Sequence, residues 1–194
     1  KEFSMTTIER ARIPVAIVGS ARCHKDSDTY RLAFETGKLL VDSGFRVLTG
    51  GMGGVMEAAC LGARSSPAYN NGDTIGILPG HGFSEANEAV DIVLPTGLDL
   101  YRNGLVAHAS AVIALGGGAG TLSEIALAWS LKRLVIAYRI DGWSGRLADT
   151  RLDERIRHAS ISNDMVYGVD SAPECIALLQ QLIPLYEDSH RGIA

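Results

Sequence analysis

A carboxylate, Glu124, follows a cluster of glycines by four residues. The run from Ala111 reads Ala-Val-Ile-Ala-Leu-Gly-Gly-Gly-Ala-Gly-Thr-Leu-Ser-Glu124. An apolar stretch that stops at glycines and passes straight into a helix signal is a natural anion site. The glycines let a phosphate approach the backbone, and the helix start supplies free N–H groups and a positive dipole end. Gly117, Gly118, Ala119, Gly120 and Thr121 are therefore the expected phosphate cradle, with the Thr121 hydroxyl reaching a phosphate oxygen. Glu124 has two readings. Thr121-Leu-Ser-Glu124 has the form of a capping box, in which the glutamate returns to the Thr121 N–H. Alternatively, Glu124 works as acid or base on the sugar or base of a phosphorylated ligand. A capping carboxylate beside an anion would repel it, so the sequence leaves both readings open.

Two further loops have similar chemistry. Gly19-Ser20-Ala21-Arg22 follows the apolar run Pro14–Val18. Its small residues permit close approach, and Ser20 can donate to a phosphate or ribose; an ordinary strand-to-helix turn would look the same. The second loop is Gly50-Gly51-Met52-Gly53-Gly54. So many glycines are costly in chain entropy, which points to positions that a side chain would block. The loop has neither the GxGxxG spacing of a dinucleotide fingerprint nor the Lys-Ser/Thr of a P-loop. Arg102-Asn103 precedes the strand that carries the first motif. An arginine there can clamp a phosphate with its planar fork, or it can be a solvated surface residue. His24, His81, His108, His158 and His190 show no metal-ligand spacing, so no metal is expected. His108 reads as a packing residue.

These loops need a scaffold that gathers them. Short apolar runs at 14–18, 46–48, 74–78, 91–94, 111–115, 134–137 and 165–167 read as strands. Amphipathic stretches between them read as helices, including 98–108 and 121–132. Ser171-Ala-Pro-Glu174 is a second capping-box signal before a final helix. Strands that alternate with helices predict a three-layer, doubly wound α/β fold of Rossmann type. Its sheet is mostly parallel, with helices on both faces. Ligands bind such sheets outside the C-terminal strand ends, where the strand order reverses. Residues 64–73 and 140–150 are expected to be mobile loops, and His190–Ala194 a frayed end.

The chain has 194 residues and a formal net charge of −4. That length suits one domain, assigned here to residues 5–194. Lys1–Ser4 before Met5 reads as a cloning remnant. The acidic balance argues against nucleic acid as a partner, and no run of membrane-spanning length argues for a membrane. Cys23, Cys60 and Cys175 form no CxxC pair and read as buried thiols in a reducing, cytoplasmic setting.

Gly19-Ser20-Ala21, Gly50 to Glu57 and Gly117 to Glu124 together resemble the Lonely Guy (LOG) family, part of the wider SLOG group, over about residues 13–186. The resemblance implies a Rossmann-like domain, usually a homodimer. LOG enzymes hydrolyse the N-glycosidic bond of nucleoside 5′-monophosphates. The "lysine decarboxylase" label long attached to the family is not implied. The LOG signature Pro-Gly-Gly-x-Gly-Thr-x-x-Glu is matched except at its proline, where this chain has Gly116. The LOG arginine falls on Tyr101, one residue before Arg102. These departures are similar to the subgroup of molybdenum cofactor carrier proteins, which share the Arg102-Asn103 and Ala111–Ala128 pattern. That resemblance implies a binding protein for a phosphorylated, nucleotide-like or pterin-type small molecule such as molybdenum cofactor, with no further cofactor required. The alternative is a LOG-like phosphoribohydrolase with Glu124 and Arg102 as catalytic groups. The helix of Trp129 is expected to serve as core or as dimer interface.

Overall fold

A computed structural model describes residues 12–187. Strands β1 (Pro14–Gly19), β2 (Arg46–Thr49), β3 (Thr74–Leu78), β4 (Ile92–Pro95), β5 (Ala111–Leu115), β6 (Leu134–Tyr138) and β7 (Tyr167–Val169) form one sheet in the order β4-β3-β2-β1-β5-β6-β7. Every pairing of these strands is parallel. Helices α1 (Asp28–Asp42), α2 (Val55–Arg64) and α6 (Ala172–Glu187) pack on one face. On the other lie α3 (Asn103–Ala107), α4 (Ala119–Ser130) and α5 (Trp143–Leu147). The doubly wound Rossmann-like architecture expected from the alternating pattern is the one observed.

Strand alternation sorts the core. Val15, Ile17, Ala111, Ile113, Leu115 and Ile136 face α1, α2 and α6. Ala16, Val18, Val112, Ala114, Val135 and Ala137 face the other way. The alanines on that second face make room for Ile125 and Trp129 of α4, and Trp129 is only 1% exposed. Trp129 is therefore core rather than interface, with the Arg157 guanidinium stacked on its ring at 3.6 Å.

The first helix starts at a sequence-legible cap: Ser27 Oγ accepts from the Tyr30 N–H at 3.2 Å. Helices α1 and α2 then meet backbone to backbone. A Cβ on Gly37 would run into the Ala59 carbonyl, and one on Gly62 into the Phe34 carbonyl. This fixes the height of α2, and with it the position of the helix start that faces the ligand cleft.

Several expected boundaries move. The predicted helix 98–108 is a 3-10 turn (Asp99–Arg102) followed by the short α3. The last strand lies two residues later than expected. Residues 140–150 contain α5. Residues 64–73 are pinned rather than loose. Arg12 and the Asn70 N–H hold Asp73, while Arg64, Tyr69 and the Gly72 N–H hold Asp91. Ser171 Oγ accepts from the Glu174 N–H at 3.4 Å as the capping box requires, while Glu174 accepts from the Asp170 N–H at 2.7 Å rather than from that of Ser171. Residues 1–11 and 188–194, including the expected frayed end, lie outside the described residues. No described helix is long and apolar enough to cross a membrane.

The α1–α2 contact gives a direct test. Gly37→Ala must separate the two backbones, an overpacking cost of about 2 kcal/mol. The melting temperature should fall by roughly 4–8 °C for a chain of this size. An unchanged melting curve would show that the crossing has slack.

Candidate ligand-binding cleft

The strand order reverses between β1 and β5: from β1 the chain proceeds outward through β2, and from β5 outward through β6. Loops leaving β1 and β5 must part at such a point, which opens a crevice at the C-terminal sheet edge. A cleft of about 530 Å³ occupies it. Of the residues expected from the sequence, Gly19, Ser20, Met52, Arg102, Asn103, Gly118, Ala119, Gly120, Thr121 and Glu124 line the cleft. Gly50, Gly51, Gly53, Gly54 and Gly117 do not; they shape the walls behind it. Met56 and Leu100 line it without having been picked out from the sequence. The available signals were proximity alone: Met56 lies two residues past the glycine loop, within the Gly50–Glu57 stretch, and Leu100 two residues before Arg102.

The loops are locked to one another. The Val55 N–H donates to the Ser20 carbonyl at 3.0 Å. Gly54, at φ +64°, leaves no room for a Cβ against that same carbonyl. Asn87, which no motif flags, donates its Nδ2 to the carbonyls of Gly51 (3.0 Å) and Met52 (2.8 Å) and so sets the second loop. The third loop is tied to α5. The Gly116 N–H donates to Ser144 Oγ at 2.7 Å, and that hydroxyl donates to the Tyr138 carbonyl at 2.7 Å. Gly116 has φ +61°, a conformation closed to proline. The missing LOG proline is therefore a different backbone path.

The capping-box reading of Glu124 is corrected. Helix α4 begins at Ala119 with Gly118 as its cap and no side-chain cap bond. Leu122 is the first to donate back, to the Gly118 carbonyl at 3.0 Å. Thr121 is thus the third helical residue, not the cap, and Glu124 sits in the second turn, beyond reach of the helix end. The preceding glycines can adopt the cap geometry themselves, so the helix starts earlier than the Thr-x-x-Glu pattern suggests. The first-turn N–H groups of Ala119, Gly120 and Thr121 precede the hydrogen-bond ladder at the cleft wall. Helix α2 also starts at the cleft without a side-chain cap.

Glu124 turns instead toward Arg102, with Oε1 3.4 Å from Nη1. The side chains are 9% and 6% exposed. Burial pushes the Glu124 carboxyl up to about 7, against the opposing pull of Arg102. Burial likewise lowers the affinity of Arg102 for its proton. Arg102 is thus no surface residue. Its Nε has no partner, an unusual state for a buried cation donor. The guanidinium lies on bare backbone, since a Cβ at Gly50 would stand 2.5 Å from Nη1 and 2.6 Å from Nη2. The turn that carries it opens at Asp99 with φ +49°, a conformation sparsely used outside glycine. Asn103 Nδ2 donates to Ser123 Oγ at 2.8 Å, and Ser123 donates to the Gly120 carbonyl, bracing the start of α4. Tyr101, the position aligned with the LOG arginine, is 87% exposed and outside the cleft. His108 is exposed rather than packed.

Fold and cleft together define a Rossmann-like α/β protein with a polar site at its topological switch point. Residues 12–172 match the SLOG cluster4 family, and the chain belongs to that family. It is 39% identical to an uncharacterized protein of Archaeoglobus fulgidus over 115 residues, 59% of this chain and 72% of that one. Among solved structures it is similar to the molybdenum cofactor binding protein from Rippkaea orientalis, with TM-score 0.72 and 33% identity, covering 93% of this chain and 99% of that one. It is also similar to the molybdenum cofactor carrier protein from Chlamydomonas reinhardtii, with TM-score 0.71 and 27% identity, covering 89% and 99%. Within the SLOG group, the chain is thus of the molybdenum cofactor carrier-like kind.

The raised Glu124 carboxyl has a consequence for stability. Its ordinary value is 4.5 and its folded value about 7, so the folded state holds the proton more tightly. The resulting stabilisation is complete below pH 4.5 and is lost as pH rises through 7. Glu124→Gln removes that dependence. Relative to the parent, the variant should gain ~3 kcal/mol between pH 4.5 and pH 8. Urea midpoints across this range check it; a constant difference would mean that Glu124 titrates normally.

Proposed function

We propose that the protein is a binding protein for a phosphorylated small molecule of nucleotide-like or pterin type, with molybdenum cofactor as the leading ligand. The observation that carries this reading is the buried Arg102 guanidinium, which has an unpartnered Nε and faces a cleft bordered by two helix starts. A buried cation with spare donors is costly unless an anion completes it. A phosphate group fits this donor set. Arg102 would bind its oxygens, while the N–H groups at the start of α4 and the Thr121 hydroxyl would cradle it. Ser20 would meet a ribose or phosphate. Met52, Met56 and Leu100 offer soft apolar surface to a flat ring. The similarity to a molybdenum cofactor binding protein and to a molybdenum cofactor carrier protein supports the same ligand class for this chain.

One observation favours a second reading. Glu124 is free of any capping duty, touches Arg102 and titrates near neutrality, which suits a group that moves protons. In that reading the protein is a phosphoribohydrolase that cleaves the N-glycosidic bond of nucleoside 5′-monophosphates. Glu124 would stabilise the developing sugar cation or activate water, and Arg102 would orient the sugar.

The two readings separate in one comparison. The parent should release no free base from AMP and related monophosphates, and a pterin should appear by mass spectrometry in protein purified from cells that make it. Base release by the parent but not by Glu124→Ala would establish the hydrolase instead. Under either reading Arg102→Ala should weaken phosphate-ligand binding by roughly tenfold or more. Gly50→Ala should do the same with little loss of stability, because only the flexible tip of Arg102 has to move.

We also propose a homodimer. Leu100 (73% exposed), Tyr101 and Leu127 form an apolar face across the 3-10 turn and α4, next to the cleft. A second copy of the chain is the proposed cover. Light scattering on a sizing column should give twice the chain mass, and Tyr101→Asp should shift it toward the monomer.

A further inference from the structure

We propose that an anion entering the cleft is taken up together with one proton, which Glu124 accepts. The inference rests on the phosphate-binding reading above and adds how that site balances its charge. It begins with a shortage of cations. Among the described residues, Arg102 is the one charged group that lowers the proton affinity of Glu124. Helix α4 brings no other charge to the site. From the 3-10 turn comes Arg102, and Asp99 opens that turn outside the cleft lining. From the first loop comes Arg22, exposed at the rim. From α2 comes Glu57, whose carboxylate is held by Lys25 at 2.9 Å.

The Arg102–Glu124 contact is also loose. At 3.4 Å it is well beyond the 2.7–2.9 Å of a strong charge-assisted bond. A phosphate or sulfate dianion that reaches the guanidinium competes for the same donors with better geometry. If Glu124 stayed ionised, one buried guanidinium would face three negative charges. Like charges that share a buried site do not all remain ionised. The dianion keeps its charge on Arg102 and the helix starts, and Glu124 takes a proton from solvent. No other bond is made or broken. The resulting carboxylic acid is a donor, and its O–H can point at an anion oxygen where the carboxylate would have repelled it.

The linkage is reciprocal, so anion affinity must fall as pH rises. The test uses sulfate, a dianion that does not itself titrate near neutrality. Titration calorimetry at pH 7.5 in two buffers of different ionisation enthalpy should show roughly half to three-quarters of a proton taken up per sulfate bound. Above that pH, affinity should drop by up to about tenfold per pH unit. Glu124→Gln should bind sulfate with no uptake and with an affinity flat from pH 6.5 to 8.5.

Binding by the parent without proton uptake would overturn this inference and leave the phosphate-binding reading in place. Equal uptake by Glu124→Gln would also overturn it, because the proton would then go elsewhere. No sulfate binding by parent or variant would overturn both. The parent measurement decides alone if the variant does not fold.

Discussion

A guanidinium held out of water, flat on the backbone of one glycine and loosely against one carboxylate, sets the terms for this structure. Arg102 can occupy that place only because Gly50 has no side chain and because the strained start at Asp99 delivers the turn to the cleft. Its charge is the buried cation of the crevice lining. The two helix starts add to it, and the neighbouring carboxyl is held near its midpoint by the competition between burial and that charge. Of the glycine loops, Gly19, Met52, Gly118 and Gly120 line the cleft, while Gly50, Gly51, Gly53, Gly54 and Gly117 lie behind it. They bring backbone, helix ends and one arginine to the same place.

The fold was legible to a high degree. Every strand was placed within about two residues, because a parallel sheet covered on both faces leaves unmixed apolar runs between polar helix faces. Boundaries failed where tertiary contacts override local signals. The 98–108 segment has a helical pattern but must turn sharply to deliver Arg102. Residues 64–73 are polar and look loose, yet Asp73 and Asp91 tie them down from distant parts of the chain.

The cleft was legible as a set of loops and less so as a set of roles. Gly19, Ser20, Met52, Arg102, Asn103 and the start of α4 meet as the motifs suggested. The role of Glu124 could not be read from sequence, since Thr-x-x-Glu spacing is the same whether or not Thr121 is the cap. Asn87 was invisible because a lone asparagine in a turn has no signature, although it holds the Gly51 and Met52 carbonyls. Gly50 illustrates a different case: its lack of a side chain, read from sequence as room for a ligand, makes room for the Arg102 guanidinium.

Gly116 bears on how such proteins can change. Its left-handed backbone and its N–H bond to Ser144 each exclude proline independently. A single codon change toward the LOG signature would therefore break the loop before it rebuilt one.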